Sequence, residues 1–186
     1  MSWYCDVAPN DPVHAAYHDN EYGFPVDDEA RLLERLALEI FQAGLSWRLV
    51  LVRRPALRDA FVGFDVDRVA EFTENDVERL LEQPGVIRNR RKLVAVIDNA
   101  ARIRQLRATD GGFARWIESH HPRSEAQWLA LFRRTFCFVG PQIVREFLLS
   151  LGYLPDAHRS DCPVYARILK AAPAWTRRTE TLAREL

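Results

Sequence analysis

Residues 73–93, TENDVERLLEQPGVIRNRRKL, decide how this chain folds. Thr73-Glu74-Asn75-Asp76 has the form of a capping box, with Asp in place of Glu, ahead of Val77, Leu80 and Leu81. Pro84-Gly85 then forces a turn. Beyond it Leu93, Val96, Ile97 and Ala100 repeat at helical spacing towards Leu106. The stretch reads as two helices and a tight hairpin over about 74–105. The start of the second helix exposes backbone N–H groups, a natural phosphate site. Arg88, Arg90, Arg91 and Lys92 crowd that start, where the helix dipole disfavours cations. A bound polyanion offsets that cost. An ordinary hairpin with a solvated basic face explains the same residues.

Outward from the hairpin the pattern is helical almost throughout. Asp27 and Asp28 open a segment expected to run to about Leu45, with Leu32, Leu33, Leu36, Ile40 and Phe41 at helical spacing. Pro55 interrupts the next segment, and Asp65 caps a short helix carrying Val66, Val69 and Ala70. Shorter helices are expected over 113–119 and 125–134. Pro141 suits the first turn of a helix reaching Leu151, where Gly152 ends it. Pro163 is placed to start the last clear helix, before a basic tail with Arg177-Arg178. No alternating strand pattern and no repeat interrupts this all-α reading.

Composition narrows the class. Hydrophobic residues are 48% of the 186, enough for one real core. Lys plus Arg and Asp plus Glu are 26 each, so polyanion binding needs local clustering of charge. Arg53-Arg54 and Arg133-Arg134 are further basic pairs that fit such clustering. Three cysteines and no leader-like start point to a reducing, cytoplasmic setting. No apolar run approaches the roughly 18 residues that span a bilayer, so no membrane partner is expected.

Two constellations carry chemistry. Cys5 and His18 lie near the start, and His158 and Cys162 lie four apart near the end. Two thiolates and two imidazoles suit tetrahedral zinc, and four protein ligands make a structural site. Two unrelated cysteines with two ordinary histidines is the rival reading. Cys137 is expected in the core; His14, His120 and His121 receive no role. Glu39 stands in an apolar helix near Gln42, Leu45, Ser46 and Trp47. It is an exposed carboxylate at the edge of the apolar stripe, or one lining a cavity with Trp47 and Tyr17. Such a cavity suits a flat cationic heterocycle.

The stretches Ala16-Tyr17-His18-Asp19-Asn20-Glu21-Tyr22-Gly23, Gln42-Ala43-Gly44-Leu45-Ser46-Trp47, Pro84 to Arg90, and Phe138-Val139-Gly140 occur in this order. With the His158–Cys162 pair they resemble the bacterial 3-methyladenine DNA glycosylase I family. The resemblance implies one compact all-α domain over 1–186, of the helix-hairpin-helix glycosylase fold. A structural zinc on Cys5, His18, His158 and Cys162 would join segments of about 1–24 and 152–170. It implies a monomer acting on double-stranded DNA that contains alkylated bases. Glu39 matches the family's base-recognition carboxylate and is the expected catalytic residue. Tyr17 and Trp47 match its aromatic walls, expected to hold the base between them. Gly44 and Leu45 match the gap left by the extruded nucleotide. Gly85, Val86, Arg88 and Arg90 match the DNA-phosphate hairpin. Three departures stand out. Val7 occupies a position usually held by tryptophan, Tyr22 replaces the tryptophan of Asn-Glu-Trp-Gly, and Pro141-Gln142 replaces small hydroxyl residues. The missing aromatic at Val7 favours the rival function, a zinc-stapled module that binds damaged DNA without cutting it. A zinc hydrolase with three ligands and a water is a third reading.

Overall fold

The computed structural model describes residues 4–177. The described residues form α1 (Tyr4–Val7), α2 (Pro12–Asn20), α3 (Glu29–Gln42), α4 (Trp47–Ala60), α5 (Val66–Ala70), α6 (Glu74–Glu82) and α7 (Arg90–Asp110). Then come α8 (Phe113–His120), α9 (Glu125–Thr135), α10 (Pro141–Ser150) and α11 (Tyr165–Lys170). No strand occurs among them. Arg178, part of the basic tail, lies outside the described residues.

Helix α3 is the axis of the molecule. It packs on α4, α5, α7, α8 and α10, and every residue from Leu32 to Phe41 is buried. The apolar stripe of its sequence therefore understates its surroundings, since its polar side is covered as well. Glu34 and Arg35 are carried inside and paired. Glu34 accepts from Arg54 and Arg58, and Glu21 accepts from Arg35 and Arg54. This ladder ties the end of α2 to α3 and α4. It also occupies Arg54, half of one basic pair that the sequence offered to a polyanion.

Asp28 caps α3 through the Arg31 N–H, but the helix stops at Gln42, short of the expected Leu45. The cause comes from α7. The buried Lys92 ammonium donates to the carbonyls of Phe41 and Ala43 at 3.0 and 2.5 Å. Those last-turn carbonyls have no helical partner, and a cation there also suits the helix dipole. The chain then turns through Gly44 to Ser46, whose hydroxyl caps α4 at the Leu49 N–H. Trp47 is thereby fixed as the first residue of α4.

The hairpin between α6 and α7 forms as the sequence indicates. Thr73 and Asp76 make the capping box, and Asn89 caps α7. Gly85 adopts φ +86°, and a Cβ there would lie 2.7 Å from that of Ala56 on α4. Only glycine allows both the backbone and the approach. Cys137 departs from expectation. It is only partly buried, its N–H donates to Asn99, and its thiol points to Asp98.

Candidate functional site

Helices α2, α3, α4 and α10 converge on a cavity of about 300 Å³. Its lining is Tyr4, Val7, His14, Tyr17, Tyr22, Glu39, Gln42, Trp47, Gln142 and Glu146. Asp11 caps α2 at the Val13 N–H and pairs with Arg48 of α4, which locks the Tyr17 and Trp47 helices together.

Glu39 is only 4% exposed, and among the described residues no hydrogen bond reaches its carboxylate. Burial lifts its pKa well above the carboxylate range, the Glu146 carboxylate adds to the rise, and Arg35 opposes it. A positive charge entering the cavity would favour the ionised form. Tyr17 is buried, and its hydroxyl accepts from Arg35 at 3.0 Å. That leaves its own proton free to donate. Burial pushes this phenol up to about 12, so it remains a neutral donor. The Tyr17 and Trp47 rings meet edge to face at 71°, their centroids 5.1 Å apart. They are adjoining walls in contact, so the expected slot between them does not exist. A flat ring has to lie against one of them.

Several lining residues escaped sequence reasoning. Tyr4 packs edge-on against His14, His18 and Tyr22, and its hydroxyl lies 3.1 Å from the His14 Nδ1. His14, left without a role above, is thus on the cavity wall. Glu146 and Gln142 come from α10, more than a hundred residues later. With Arg145 they form the polar edge of an otherwise largely apolar helix. The sequence marked Gln142 only as a departure from the family pattern and Glu146 not at all. Val7, by contrast, is 45% exposed at the lining, so the wall is thin at this point.

The four candidate metal ligands come together and are all buried, with ligand atoms within 4.8 Å of one another. Cys162 Sγ lies 3.4 Å from His158 Nδ1 and 3.8 Å from His18 Nε2, and Cys5 Sγ lies 3.8 Å from His158 Nδ1. Tetrahedral zinc bonds imply sulfur–nitrogen spacings of roughly 3.5 Å. The outer nitrogens agree with such a use. His18 Nδ1 faces Asp19 at 2.7 Å, and His158 Nε2 faces the Tyr22 carbonyl at 2.8 Å. Each ring donates its proton outward and turns a lone pair inward. A small apolar cluster of Val164, Ile168, Phe24 and Tyr165 seals the two thiols.

The remaining sequence candidates lie around the mouth and the hairpin. Leu45 is exposed beside Gly44, which has φ +82° and open space about it. Val86 is buried under the turn, and Arg88 is exposed. Arg90 pairs with Glu74 and Glu78 of α6, so it braces the hairpin in this arrangement. Arg177 pairs with Glu118, far along the chain from the hairpin.

A family model described as methyladenine glycosylase matches residues 7–165. DNA-3-methyladenine glycosylase 1 of Escherichia coli (strain K12) is 37% identical, with 87% of this chain and 96% of that protein covered. DNA-3-methyladenine glycosylase of Haemophilus influenzae is 34% identical, with coverages of 88% and 98%. The solved 3-methyladenine DNA glycosylase I of Staphylococcus aureus, described for its recognition of 3-methyladenine, superposes with a TM-score of 0.79. Its identity is 31%, and 87% of this chain and 96% of that chain are covered. A match over most of the length, with an all-helical fold in common, has one meaning: the chain belongs to the methyladenine glycosylase family.

Proposed function

We propose that this protein is a monofunctional base-excision-repair DNA glycosylase that releases 3-methyladenine from alkylated double-stranded DNA. The observation that carries the reading is the buried carboxylate of Glu39, without a hydrogen-bond partner among the described residues, in an aromatic-walled cavity. Such a group is costly unless a cation or a donor completes it. An N3-methylated adenine in DNA supplies both, a positive ring and an exocyclic amine.

The target nucleotide swings out of the duplex, at a cost of a few kcal/mol that damage reduces. The base lies against Trp47 or Tyr17, and the Tyr17 hydroxyl donates to an acceptor on its edge. Glu39 accepts from the amine and holds the positive charge. The bond between C1′ and N9 then breaks, and its electron pair leaves with the base, which departs as neutral 3-methyladenine. A water oxygen bonds to C1′, and its proton passes to solvent. Because the leaving group is already cationic, strong acid catalysis is unnecessary. Glu39 selects and positions the base, and it does not attack the sugar.

Leu45, beside the unhindered Gly44, fills the gap in the duplex. The N-terminus of α7, with Gly85, Val86 and Arg88, takes a phosphate as a helix-hairpin-helix would. Arg90 joins it by exchanging Glu74 and Glu78 for the polyanion. Cys5, His18, His158 and Cys162 hold zinc, which with four protein ligands stabilises the fold and leaves the chemistry to the cavity. The protein works as a monomer in the cytoplasm. The test is chromatography of free bases released from methylated DNA. Wild type is expected to release 3-methyladenine, and Glu39→Gln to lose about a hundredfold or more. Equal release by both would remove Glu39 from the mechanism.

A further inference from the structure

The cavity holds a second carboxylate, and it is a constructed feature. Glu146 on α10 accepts from the Tyr22 hydroxyl at 3.0 Å, from Gln142 Nε2 at 2.9 Å and from Arg145 Nη1 at 3.4 Å. Arg145 is shared with Glu125 at 3.5 Å and is 38% exposed, so it neutralises Glu146 weakly. Tyr22 is almost wholly buried. Its carbonyl takes the outward proton of His158, while its ring packs on Tyr4 and Tyr17. Its hydroxyl is thus aimed from a fixed ring at one oxygen of Glu146. Placing a second carboxylate in the lining that Glu39 already shares raises the repulsion between them. A neutral acceptor would satisfy Tyr22 equally well. The charge itself is what requires a reason, and a cationic occupant supplies one.

We infer that Glu146, steered by Tyr22 and Gln142, is a specificity-determining residue that gives the cavity a second negative contact for a cationic purine. The inference rests on the proposed base site. In it, two acceptors on facing helices, α3 and α10, share the positive charge of the alkylated ring. The wall left thin at Val7 is compensated by electrostatic attraction, since lost stacking area weakens the hold on any base while an added carboxylate strengthens it for cations alone.

Glu146→Gln separates charge from shape, because glutamine can still accept from Tyr22. Tyr22→Phe removes only the steering hydroxyl. Calorimetry with 3,9-dimethyladeninium, a cation at neutral pH, and with neutral 9-methyladenine reads the difference. Glu146→Gln is expected to weaken the cation about tenfold and leave the neutral base unchanged. Tyr22→Phe is expected to weaken the cation by a smaller factor. Glu39 is faced by Arg35 of its own helix, Tyr17 and His14 of α2, Tyr4 of α1, Tyr22, and Glu146 of α10. Of these, Glu146 is the one that Glu146→Gln alters, so the acid limb of base release should move to lower pH. Equal losses for both probes, or none, with the acid limb unmoved, overturn the inference while wild type still releases 3-methyladenine. A wild type that releases no base overturns the proposed function as well.

Discussion

Glu39 gives up its proton less readily than an ordinary carboxylate, because burial strips its hydration and Glu146 lies close. The sign for stability follows. Below the ordinary carboxylate range both folded and unfolded forms are protonated, and no penalty arises. As pH rises, the unfolded chain ionises first, and stability falls until the folded group ionises too. Glu39→Gln is therefore expected to melt a few degrees above wild type at pH 8. The two should melt alike at pH 4, as differential scanning fluorimetry would record. A variant that loses activity yet gains stability is the signature of a residue kept for function. Its chemistry was legible in the sequence, as a carboxylate in an apolar run near Trp47. Its burial was not, because the exposed-edge reading fitted the same spacing. It is buried among side chains brought together from α1, α2, α4 and α10, which local sequence does not reveal.

At the scale of elements, two residues join the α6–α7 hairpin to the helices around the cavity. Lys92 leaves the first turn of α7 to cap the end of α3. Lys92→Met keeps the volume but leaves two carbonyls without their donor, each worth about 1–3 kcal/mol if buried. We expect a loss of about 2–4 kcal/mol in urea unfolding. Base release should fall with it, since the loop 43–46 sets Leu45 and Trp47. Gly85→Ala meets both a positive φ and the Ala56 side chain. It should cost about 1–3 kcal/mol. Adding Ala56→Gly should recover only the steric part, which a double-mutant cycle measures. The hairpin was readable from its capping box and Pro84-Gly85. The role of Lys92 was not. In sequence it belonged to a basic cluster offered to phosphate, and only the crossing of α7 over the end of α3 turned it inward.

Across the whole molecule, the four buried candidate ligands bring together segments near residues 5–18 and 158–162, outside the main core. The large apolar cluster from Tyr17 to Ala157 packs through α3, while the ligand cluster is small and separate. Removal of metal by a chelator should therefore lower the melting temperature and loosen the terminal segments first. Limited proteolysis should cut within 4–24 or 152–170 while far-ultraviolet circular dichroism keeps most of its helical signal. Replacing any one of Cys5, His18, His158 or Cys162 should abolish stoichiometric zinc, because a closed tetrahedral site needs all four. Early loss of all helical signal would instead make the metal essential to the central core.

Taken alone, the sequence determined most helices from α3 onward, several of their caps and the donor types. It did not mark α1 or α2, α4 runs unbroken through Pro55 where an interruption was expected, and the end of α3 was set by Lys92. Apolar spacing, capping side chains and turn glycines act over four or five residues and are written locally. Tertiary packing alone decided which polar groups became functional. It brought Tyr4, His14, Gln142 and Glu146 to the cavity, turned Tyr17 and Trp47 into adjoining walls, and drew Lys92 and Arg54 away from the surface. Such placements depend on how helices cross, and a crossing is settled by the summed packing of residues far apart in the chain.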